Sequence, residues 1–471
     1  MPDISPQYRP VFHFSPQRNW MNDPNGLVFA DGVYHLFYQY HPDGLTWGPM
    51  HWGHATSRDL LHWDEQPIAL YPDDLGMIFS GSIVIDHDNT SGLGHNGKTA
   101  WVAIFTHHDP LKEKAGGNVH QYQSIAYSLD DGVSWTKYAG NPVLPNPGIK
   151  DFRDPKVFWH DDTRRWVMSL AAGDRILFYS SPDLKNWALE SEFDGFDIAT
   201  GNVVECPDLV VLDFEGRKRG VLIVSLVTDA PNGGSGTRYV VGDFDGYRFV
   251  AEHDDVRWLD HGPDNYAGVT FHNSGDQLLL IGWMSNWAYA QAVPTAPWRS
   301  AMTLPRELRL VMMDGKAVLS QSVPSVFDGQ TSLDENWPSD LTAVWREAGG
   351  TLNLCLKAEN QPSFELTLSN DIGDRMVIGF DAMEQHYYID RRNAGQNSFS
   401  PDFPIRAAAP RVGVGNGTDI KLYFDKGSVE LFADNGTTTM TCLNFPRADY
   451  TSVELQSFVL PVNGRLTSAP L

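Results

Sequence analysis

The sequence predicts an all-β protein, in which a five-bladed β-propeller is followed by a C-terminal β-sandwich. Three observations predict this fold: short strand-like segments, a turn motif that recurs at the spacing of propeller blades, and alternating apolar and polar segments near the C-terminus. We expect the propeller at residues 1–320, a linker at about residues 321–334 and the sandwich at residues 335–471. The 471 residues contain no long amphipathic helix pattern.

The strand-like segments are rich in β-branched and aromatic residues. Clusters of Gly, Pro, Asp and Asn bound them, as is typical of strands joined by tight turns. The clearest segments are residues 33–40, 101–106, 166–170, 221–226 and 278–283.

A turn of the form Ser-x-Asp, followed by an aromatic residue, recurs in the first half of the chain. It occurs at residues 57–63, 128–135 and 181–187, and more loosely at residues 243–249. The same turn also occurs in unrelated β proteins, but units of about 50 residues are typical of four-stranded blades. A further unit at about residues 264–306 brings the number of blades to five, with the N-terminal strand closing the ring.

The C-terminal part alternates between apolar and polar residues at residues 364–368, 421–425 and 428–432. Such alternation indicates strands with one buried and one solvated face, as in a sandwich. Turn signals at residues 425–427 and 435–436 fit β-hairpins.

The composition is strongly acidic, with 35 Lys and Arg against 59 Asp and Glu and a formal net charge of −24. Such a charge repels phosphate backbones and anionic membranes, so neither nucleic acid nor a membrane is an expected partner. A neutral small molecule or oligosaccharide is compatible with it. The chain is also rich in aromatic residues, with 15 Trp, 17 Tyr and 24 Phe.

The three cysteines form neither a disulfide framework nor a zinc-binding pattern. We interpret Cys206 as a small buried residue, and whether Cys355 pairs with Cys442 stays open. Three histidines, at positions 107, 108 and 120, lack partners at metal-ligand spacing, so we predict neither a metal nor a cofactor.

Residues 1–20 contain no basic stretch followed by an apolar run, and the chain contains no candidate membrane span. We expect a cytoplasmic protein, or an exported one whose leader is absent from this sequence.

Three acids stand within two residues of a proline in otherwise apolar, strand-like sequence. Asp23 lies in Asn-Asp-Pro-Asn-Gly (residues 22–26), where proline and glycine predict a tight turn at a strand end. Asp154 and Glu205 lie in residues 151–156 and 204–208. Any one of them alone is explained by a solvated turn. Three together favour glycoside hydrolysis, which requires paired carboxylates.

The segments around these acids resemble the signature motifs of glycoside hydrolase family 32, which includes invertases, levanases and inulinases. The resemblance extends over nearly the whole chain. It rests on residues 20–26, 50–55, 79–82, 153–155, 205–206, 297–306 and 429–432. It implies a five-bladed propeller with a C-terminal sandwich, and a retaining exo-β-fructofuranosidase.

The resemblance also implies the roles of the three acids. Asp23 would be the nucleophile, Glu205 the general acid and base, and Asp154 the group that stabilises the transition state. Retention predicts that the carboxyls of Asp23 and Glu205 lie about 5–5.5 Å apart. Because different blades supply the three acids, they are expected to meet on the propeller axis.

The same resemblance implies a set of substrate-binding residues. For the aromatic residues in the set, packing in the core is the alternative to contact with substrate. Here Asn265 stands where an aromatic residue is usual, which leaves the role of Tyr266 less certain. Two further tryptophans, at positions 283 and 287, stay open. The set comprises Trp20, Asn22, Gln39, Trp47, Phe79, Ser80, Arg153, Asp264, Tyr266 and Trp298.

We expect hydrolysis of sucrose and short fructans from the non-reducing end. The alternatives are an exo-levanase or exo-inulinase with polymer preference, and a fructosyltransferase. Residues 86–94 resemble a segment of bacterial and fungal fructan hydrolases, which keeps polymer cleavage open. A non-catalytic sugar-binding propeller, or a hydrolase of arabinose or xylose polymers, is a more distant alternative. The oligomeric state stays open.

Overall fold

The computed structural model describes residues 7–199, 201–275, 277–328, 341–346, 349–357, 363–413, 417–457 and 464–467. The fold is almost entirely β. The described residues contain one short α-helix, α1 (Pro110–Lys114), and one 3-10 turn at Ser325–Phe327. Among them, no helix is long and apolar enough to cross a bilayer.

Five sheets, antiparallel except for one parallel pair, lie within residues 19–322. The first contains β1 (Asn19–Ala30), β2 (Val33–His41), β3 (His51–Ser57) and β4 (Trp63–Leu70). The second contains β5 (Met77–Asp86), β6 (Ala100–His108), β7 (Gln121–Ser128) and β8 (Thr136–Lys137). The third contains β9 (Phe152–His160), β10 (Arg165–Ala172), β11 (Arg175–Ser181) and β12 (Ala188–Phe193).

The fourth sheet contains β13 (Val204–Phe214), β14 (Arg217–Leu226), β15 (Gly236–Phe244), β16 (Phe249–Ala251) and β17 (Arg257–Trp258). The fifth contains β18 (Tyr266–Thr270) and β19 (Leu279–Met284). After β20 (Trp298–Arg299), which joins the first sheet, the fifth sheet continues with β21 (Ala301–Met302), β22 (Arg306–Met313) and β23 (Lys316–Ser322).

The first strands of the five sheets form a closed ring. They contact one another in the cyclic order β1, β5, β9, β13, β18 and back to β1. The number of sheets equals the number of blades expected. The fifth sheet extends to Ser322 rather than to residue 306. The N-terminal strand β1 is the inner strand of the first sheet, and the ring is closed where β20 pairs with it in parallel.

The recurring Ser-x-Asp motif forms the same turn in three blades. The Asp130 carboxylate accepts hydrogen bonds from Ser128 Oγ at 2.8 Å and from the backbone N–H of Ser134 at 2.9 Å. The indole N–H of Trp135 donates to the carbonyl of Gly132 at 3.1 Å. The copies at residues 57–63 and 181–187 repeat these contacts. Each turn therefore ties the end of one strand to the beginning of the next.

Two further sheets form the C-terminal sandwich. One contains, in spatial order, β24 (Leu341–Arg346), β25 (Gly349–Lys357), β30 (Gly417–Asp425), β31 (Ser428–Ala433) and β32 (Thr438–Leu443). The other contains β29 (Arg406–Pro410), β28 (His386–Asn393), β27 (Arg375–Asp381), β26 (Phe364–Ser369), β33 (Ser452–Ser457) and β34 (Gly464–Thr467). Apolar side chains from both sheets form one core between them. The all-β fold of propeller plus sandwich is confirmed.

Cys206 and Cys442 are buried free thiols. The side chain of Cys355 lies outside the described residues, but its strand β25 is separated from β32 of Cys442 by two strands. Three strand spacings amount to about 14 Å. A disulfide requires Cα atoms within about 7 Å, so this arrangement disfavours pairing of Cys355 with Cys442.

Candidate active site

The three acids singled out by the sequence line one funnel on the propeller axis. Asp23 lies on β1, Asp154 on β9 and Glu205 on β13, so three different blades supply them. The cavity of the funnel has a volume of about 230 Å³. Its lining consists of Asn22, Asp23, Gln39, Trp47, Phe79, Ser80, His108, Glu113, Gln121, Asp151, Arg153, Asp154, Glu205 and Trp287.

Every inner strand of the ring is interrupted by a bulge at the height of the funnel. Each ladder skips two residues, and the strand then resumes. Bulges of this kind redirect side chains and are common next to active sites. Three of the bulges contain a non-glycine residue with positive φ, at Asp154 (65°), Cys206 (47°) and Ala267 (54°). The skipped residues are 22–23, 79–80, 154–155, 206–207 and 267–268.

The predicted tight turn at residues 22–26 is therefore wrong. These residues lie inside the twelve-residue strand β1, which pairs with β2 on both sides of two register shifts. Pairing with β2 overrides the local preference of Asp-Pro-Asn-Gly for a turn. Gly26 has φ of 52°, and a Cβ there would lie 2.7 Å from Ile83 Cδ1, so glycine is required by both conformation and space.

Asp23 is buried and held in place by neutral donors. Its carboxylate accepts hydrogen bonds from Ser80 Oγ at 2.7 Å and from Asn22 Nδ2 at 3.1 Å. The indole N–H of Trp20 in turn donates to Asn22 Oδ1 at 2.8 Å. Trp20 is thus a fully buried support behind Asn22 rather than a wall of the funnel.

Cys206 connects two of the acids. Its backbone N–H donates to Asp154 Oδ2 at 3.0 Å. Its Sγ lies 3.6 Å from Oδ2 of both Asp23 and Asp154. The residue is buried as predicted, and burial, followed by the nearby carboxylates, raises the pKa of its thiol, which therefore stays protonated.

Glu205 is oriented by a cation and a phenol. Arg153 donates to Oε1 through Nε at 2.9 Å and Nη2 at 2.8 Å, while the hydroxyl of Tyr266 donates to Oε2. Tyr266 is fully buried behind Glu205. Arg153 also binds Asp151 through Nη1 at 2.7 Å. With Arg153 on one carboxyl oxygen and Tyr266 on the other, the orientation of the Glu205 carboxyl is set from both sides.

The acids influence one another strongly. Burial, then the charge of Glu205, raises the pKa of Asp23. Burial and the charges of Glu205 and Asp23 outweigh Arg153 and raise the pKa of Asp154 to about 7. The pKa of the Arg153 guanidinium is raised, because Glu205, Asp154 and Asp151 outweigh its burial. Since these carboxyls interact, their protons belong to the cluster rather than to one residue.

Most of the predicted binding residues converge on the funnel. Of the ten, six line it: Asn22, Gln39, Trp47, Phe79, Ser80 and Arg153. Trp47 is 39% exposed and contacts the edge of Phe79, with ring centroids 6.1 Å apart, so it lies at the rim.

The structure places Trp298 and Asp264 outside the funnel. Trp298 is buried at the junction with the sandwich, and the guanidinium of Arg9 covers its ring at 3.6 Å. Asp264 is fully buried and accepts from Arg391 Nη1 and Tyr289 Oη, both at 2.5 Å. Each of these two side chains is occupied by contacts at the interface between propeller and sandwich, so the structure does not bring either to the funnel.

Several lining residues escaped the sequence analysis. Trp287, which was left open, lines the funnel, whereas Trp283 is fully buried. Gln121 carries no local signal, since only the fold brings it beside Arg153. His108 and Glu113 were missed because their pairing depends on the short helix α1, which the strand pattern did not indicate.

Comparison with known proteins agrees with this geometry. The family model for the N-terminal domain of glycosyl hydrolases family 32 matches residues 13–322, and the C-terminal model of the same family matches residues 329–463. A levanase from Bacillus subtilis (strain 168) is 43% identical over 467 residues, which cover 95% of this chain and 68% of the levanase. An extracellular exo-inulinase from Aspergillus awamori is 39% identical over 503 residues, which cover 96% of this chain and 92% of the inulinase.

Solved structures show the same similarity. The crystal structure of exo-inulinase from Aspergillus awamori has a TM-score of 0.86 at 37% identity and covers 98% of this chain and 97% of that chain. The structure of beta-fructofuranosidase from Schwanniomyces occidentalis complexed with fructosyl-erythritol has a TM-score of 0.86 at 33% identity, over 97% of this chain and 95% of that chain. A match that runs through both domains in order means that the chain belongs to glycoside hydrolase family 32, whose members hydrolyse sucrose and fructans.

Proposed function

We propose that this enzyme is a retaining exo-β-fructofuranosidase that releases fructose from the non-reducing end of sucrose and short fructans. The observation that carries the proposal is the convergence of Asp23, Asp154 and Glu205, from three blades, on one funnel. Levanase and exo-inulinase relatives, and a neighbour solved with fructosyl-erythritol, support a fructosyl substrate.

The roles follow from the contacts. Asp23 carries no cationic partner among its hydrogen bonds, so its anion is free to attack the anomeric carbon. Glu205 gives its proton to the departing oxygen as that bond breaks and Asp23 bonds to the sugar. Glu205 then takes a proton from water, which attacks the same carbon and releases Asp23. Burial first, and then the charge of Glu205, raise the pKa of Asp23, so the two carboxyls interact across the funnel.

Asp154 is assigned to the sugar hydroxyls and the developing positive charge. Its buried anion stabilises an oxocarbenium-like transition state more than the neutral substrate, which is the difference that accelerates a reaction. Gln39 and Asn22 add neutral donors and acceptors at the same depth of the funnel.

Attack on chain ends follows from the shape of the site. Asp23 and Asp154 are more than nine-tenths buried, whereas Trp47 at the rim is exposed to solvent. A terminal fructosyl unit can reach the acids while the rest of a chain extends past the rim. The levanase and exo-inulinase relatives favour a second candidate, an enzyme with polymer preference. Because such polymers do not cross membranes, that candidate also requires an extracellular location.

Product analysis tests the substrate. Purified protein is incubated with sucrose, raffinose, inulin and levan, and the released sugars are separated over time. Fructose as the first product of every cleaved substrate supports exo action, and a higher kcat/KM on levan or inulin than on sucrose identifies a fructan hydrolase. Early oligosaccharides from levan, or fructosylated products from sucrose, would contradict exo hydrolysis.

Substitution tests the acids. Glu205→Gln is expected to lower kcat on sucrose by about 10²–10⁴-fold, since general acid catalysis contributes that much. Asp23→Ala is expected to abolish fructose release, because no covalent intermediate can form. The exposed acid Asp161 provides a matched control, and Asp161→Ala should keep full activity. Full activity in purified, folded Asp23→Ala would refute the assignment.

A further inference from the structure

A chain of hydrogen bonds leads from the funnel rim to the proposed acid catalyst. Glu113, on α1, lies 3.1 Å from His108 Nε2. His108 Nδ1 lies 3.3 Å from the amide nitrogen of Gln121. Gln121 Oε1 in turn accepts from Arg153 Nη1 at 3.3 Å, and Arg153 donates to Glu205 Oε1 through Nε and Nη2. The motifs found in the sequence include none of Glu113, His108 and Gln121.

The direction of each bond is fixed by its neighbours. Gln121 Oε1 faces two groups that can only donate, Arg153 and the backbone N–H of Phe152 at 2.8 Å. The amide nitrogen of Gln121 must therefore face His108, so His108 Nδ1 accepts and carries no proton. The single proton of the imidazole sits on Nε2 and points to the carboxylate of Glu113.

The surroundings of His108 keep its ring neutral and fixed. The ring is stacked on Phe79 with centroids 4.3 Å apart and planes 4° apart, and it is 3% exposed. The charged and titratable groups that face it are Glu113 on α1, His120 ahead of β7 and Arg153 on β9. Burial is the largest cause of its lowered pKa, ahead of the opposing charge of Glu113.

We propose that His108 is a positioning residue for acid catalysis, which holds Gln121 and, through Gln121, sets the contact of Arg153 with Glu205. This inference rests on the proposed function, since it assumes that Glu205 is the acid. The link to Gln121 carries the effect, whereas the link to Glu113 only sets the tautomer.

Two amide variants separate the links. His108→Asn places an amide oxygen near the position of Nδ1 and keeps an acceptor for Gln121. His108→Gln places its amide near Nε2, which keeps the contact with Glu113 but removes the acceptor for Gln121. His120→Phe is the matched control, because His120 stacks edge-on against His108 at 5.3 Å and has no bond to Gln121.

The measurement compares kcat on sucrose with kcat on an aryl β-fructofuranoside whose leaving group needs no proton. We expect His108→Gln to lose about 5- to 10-fold on sucrose, the effect of one lost hydrogen bond, and less than about 2-fold on the aryl substrate. His120→Phe should stay within about 2-fold of the wild type on both substrates, and His108→Asn should keep the wild-type ratio of the two kcat values within about 2-fold.

Three results would each overturn the inference while leaving the proposed function intact. They are an equal loss of kcat on both substrates, an equal loss of kcat in His108→Asn and His108→Gln, and no loss of kcat in His108→Gln. Absence of fructose release by the wild type would overturn both. Thermal unfolding of each variant confirms that the compared proteins are folded.

Discussion

At the scale of single residues, Asp154 is a residue of the site that lowers the stability of the fold. Its carboxyl is buried beside two other acids, and its backbone has φ of 65°, a conformation that few side chains adopt. The reference pKa of 3.8 is raised to about 7, so the folded protein retains a proton that the unfolded chain has already lost. Between these two pH values, stability therefore falls as the pH rises.

Asp154→Asn should accordingly abolish activity and raise stability at pH 8, by about 1 kcal/mol or more, because it removes a buried charge. Near pH 4 the advantage should vanish, since the wild-type carboxyl is then protonated. Calorimetric unfolding at both pH values measures the difference. The exposed control Asp161→Asn should show no such pH dependence, and an Asp154→Asn protein that is less stable than the wild type at pH 8 would contradict this reasoning.

Sequence reasoning found the acids because each stands within two residues of a proline in strand-like sequence. It could not separate Asp264 and Trp298 from the true lining residues. Both side chains are committed to the sandwich, through Arg391 and through a junction closed by Arg9. Such contacts join residues far apart in the chain, and no local pattern records them.

At the scale of elements, the repeat could be predicted from the sequence because its turns are built from residues that are close together in the chain. The carboxylate of Asp130 satisfies both Ser128 and the backbone of Ser134 within seven residues of chain. The bulges in the inner strands could not be predicted from the sequence, because a bulge depends on pairing with a second strand. This is why Asp-Pro-Asn-Gly was predicted as a turn and proved to be part of β1.

Asp130→Ala should lower the free energy of unfolding by about 1 kcal/mol, since it removes hydrogen bonds that cap the turn. The neighbouring Asp131 has φ of 57°, which asparagine tolerates, so Asp131→Asn serves as the control and should be neutral. Urea unfolding measures both. Activity should be unchanged in the two variants, because the turn lies away from the funnel. Equal stability of Asp130→Ala and wild type would show that the turn contributes nothing.

At the scale of the whole molecule, buried charges hold the sandwich against the propeller. Arg306 lies between Asp260 at 2.8 Å and Glu430 at 2.5 Å, all three fully buried. His13 lies between Asp425 at 2.8 Å and Glu430 at 2.9 Å. Burial alone would lower the pKa of His13, but the two carboxylates outweigh it and raise the pKa to about 9.

His13 should therefore make stability depend on pH at the alkaline side. Its contribution is complete below its ordinary pKa of 6.5 and is lost as the pH rises through about 9. The difference in unfolding free energy between wild type and His13→Asn should shrink by about 3 kcal/mol over that range. Urea unfolding of both proteins across the range measures it. A constant difference between wild type and His13→Asn would refute the charged state.

The seam of the ring has a consequence for the synthesis of the protein. The open edge of β1 is covered by Trp298, which pairs with Asn19, and by His272, which bridges to Val28. Trp298 and His272 are translated only after the second, third and fourth blades, so Asp23 leaves the ribosome before these last neighbours of β1. We therefore expect nascent or prematurely terminated chains to be inactive. An inhibitory segment is not needed to explain this inactivity.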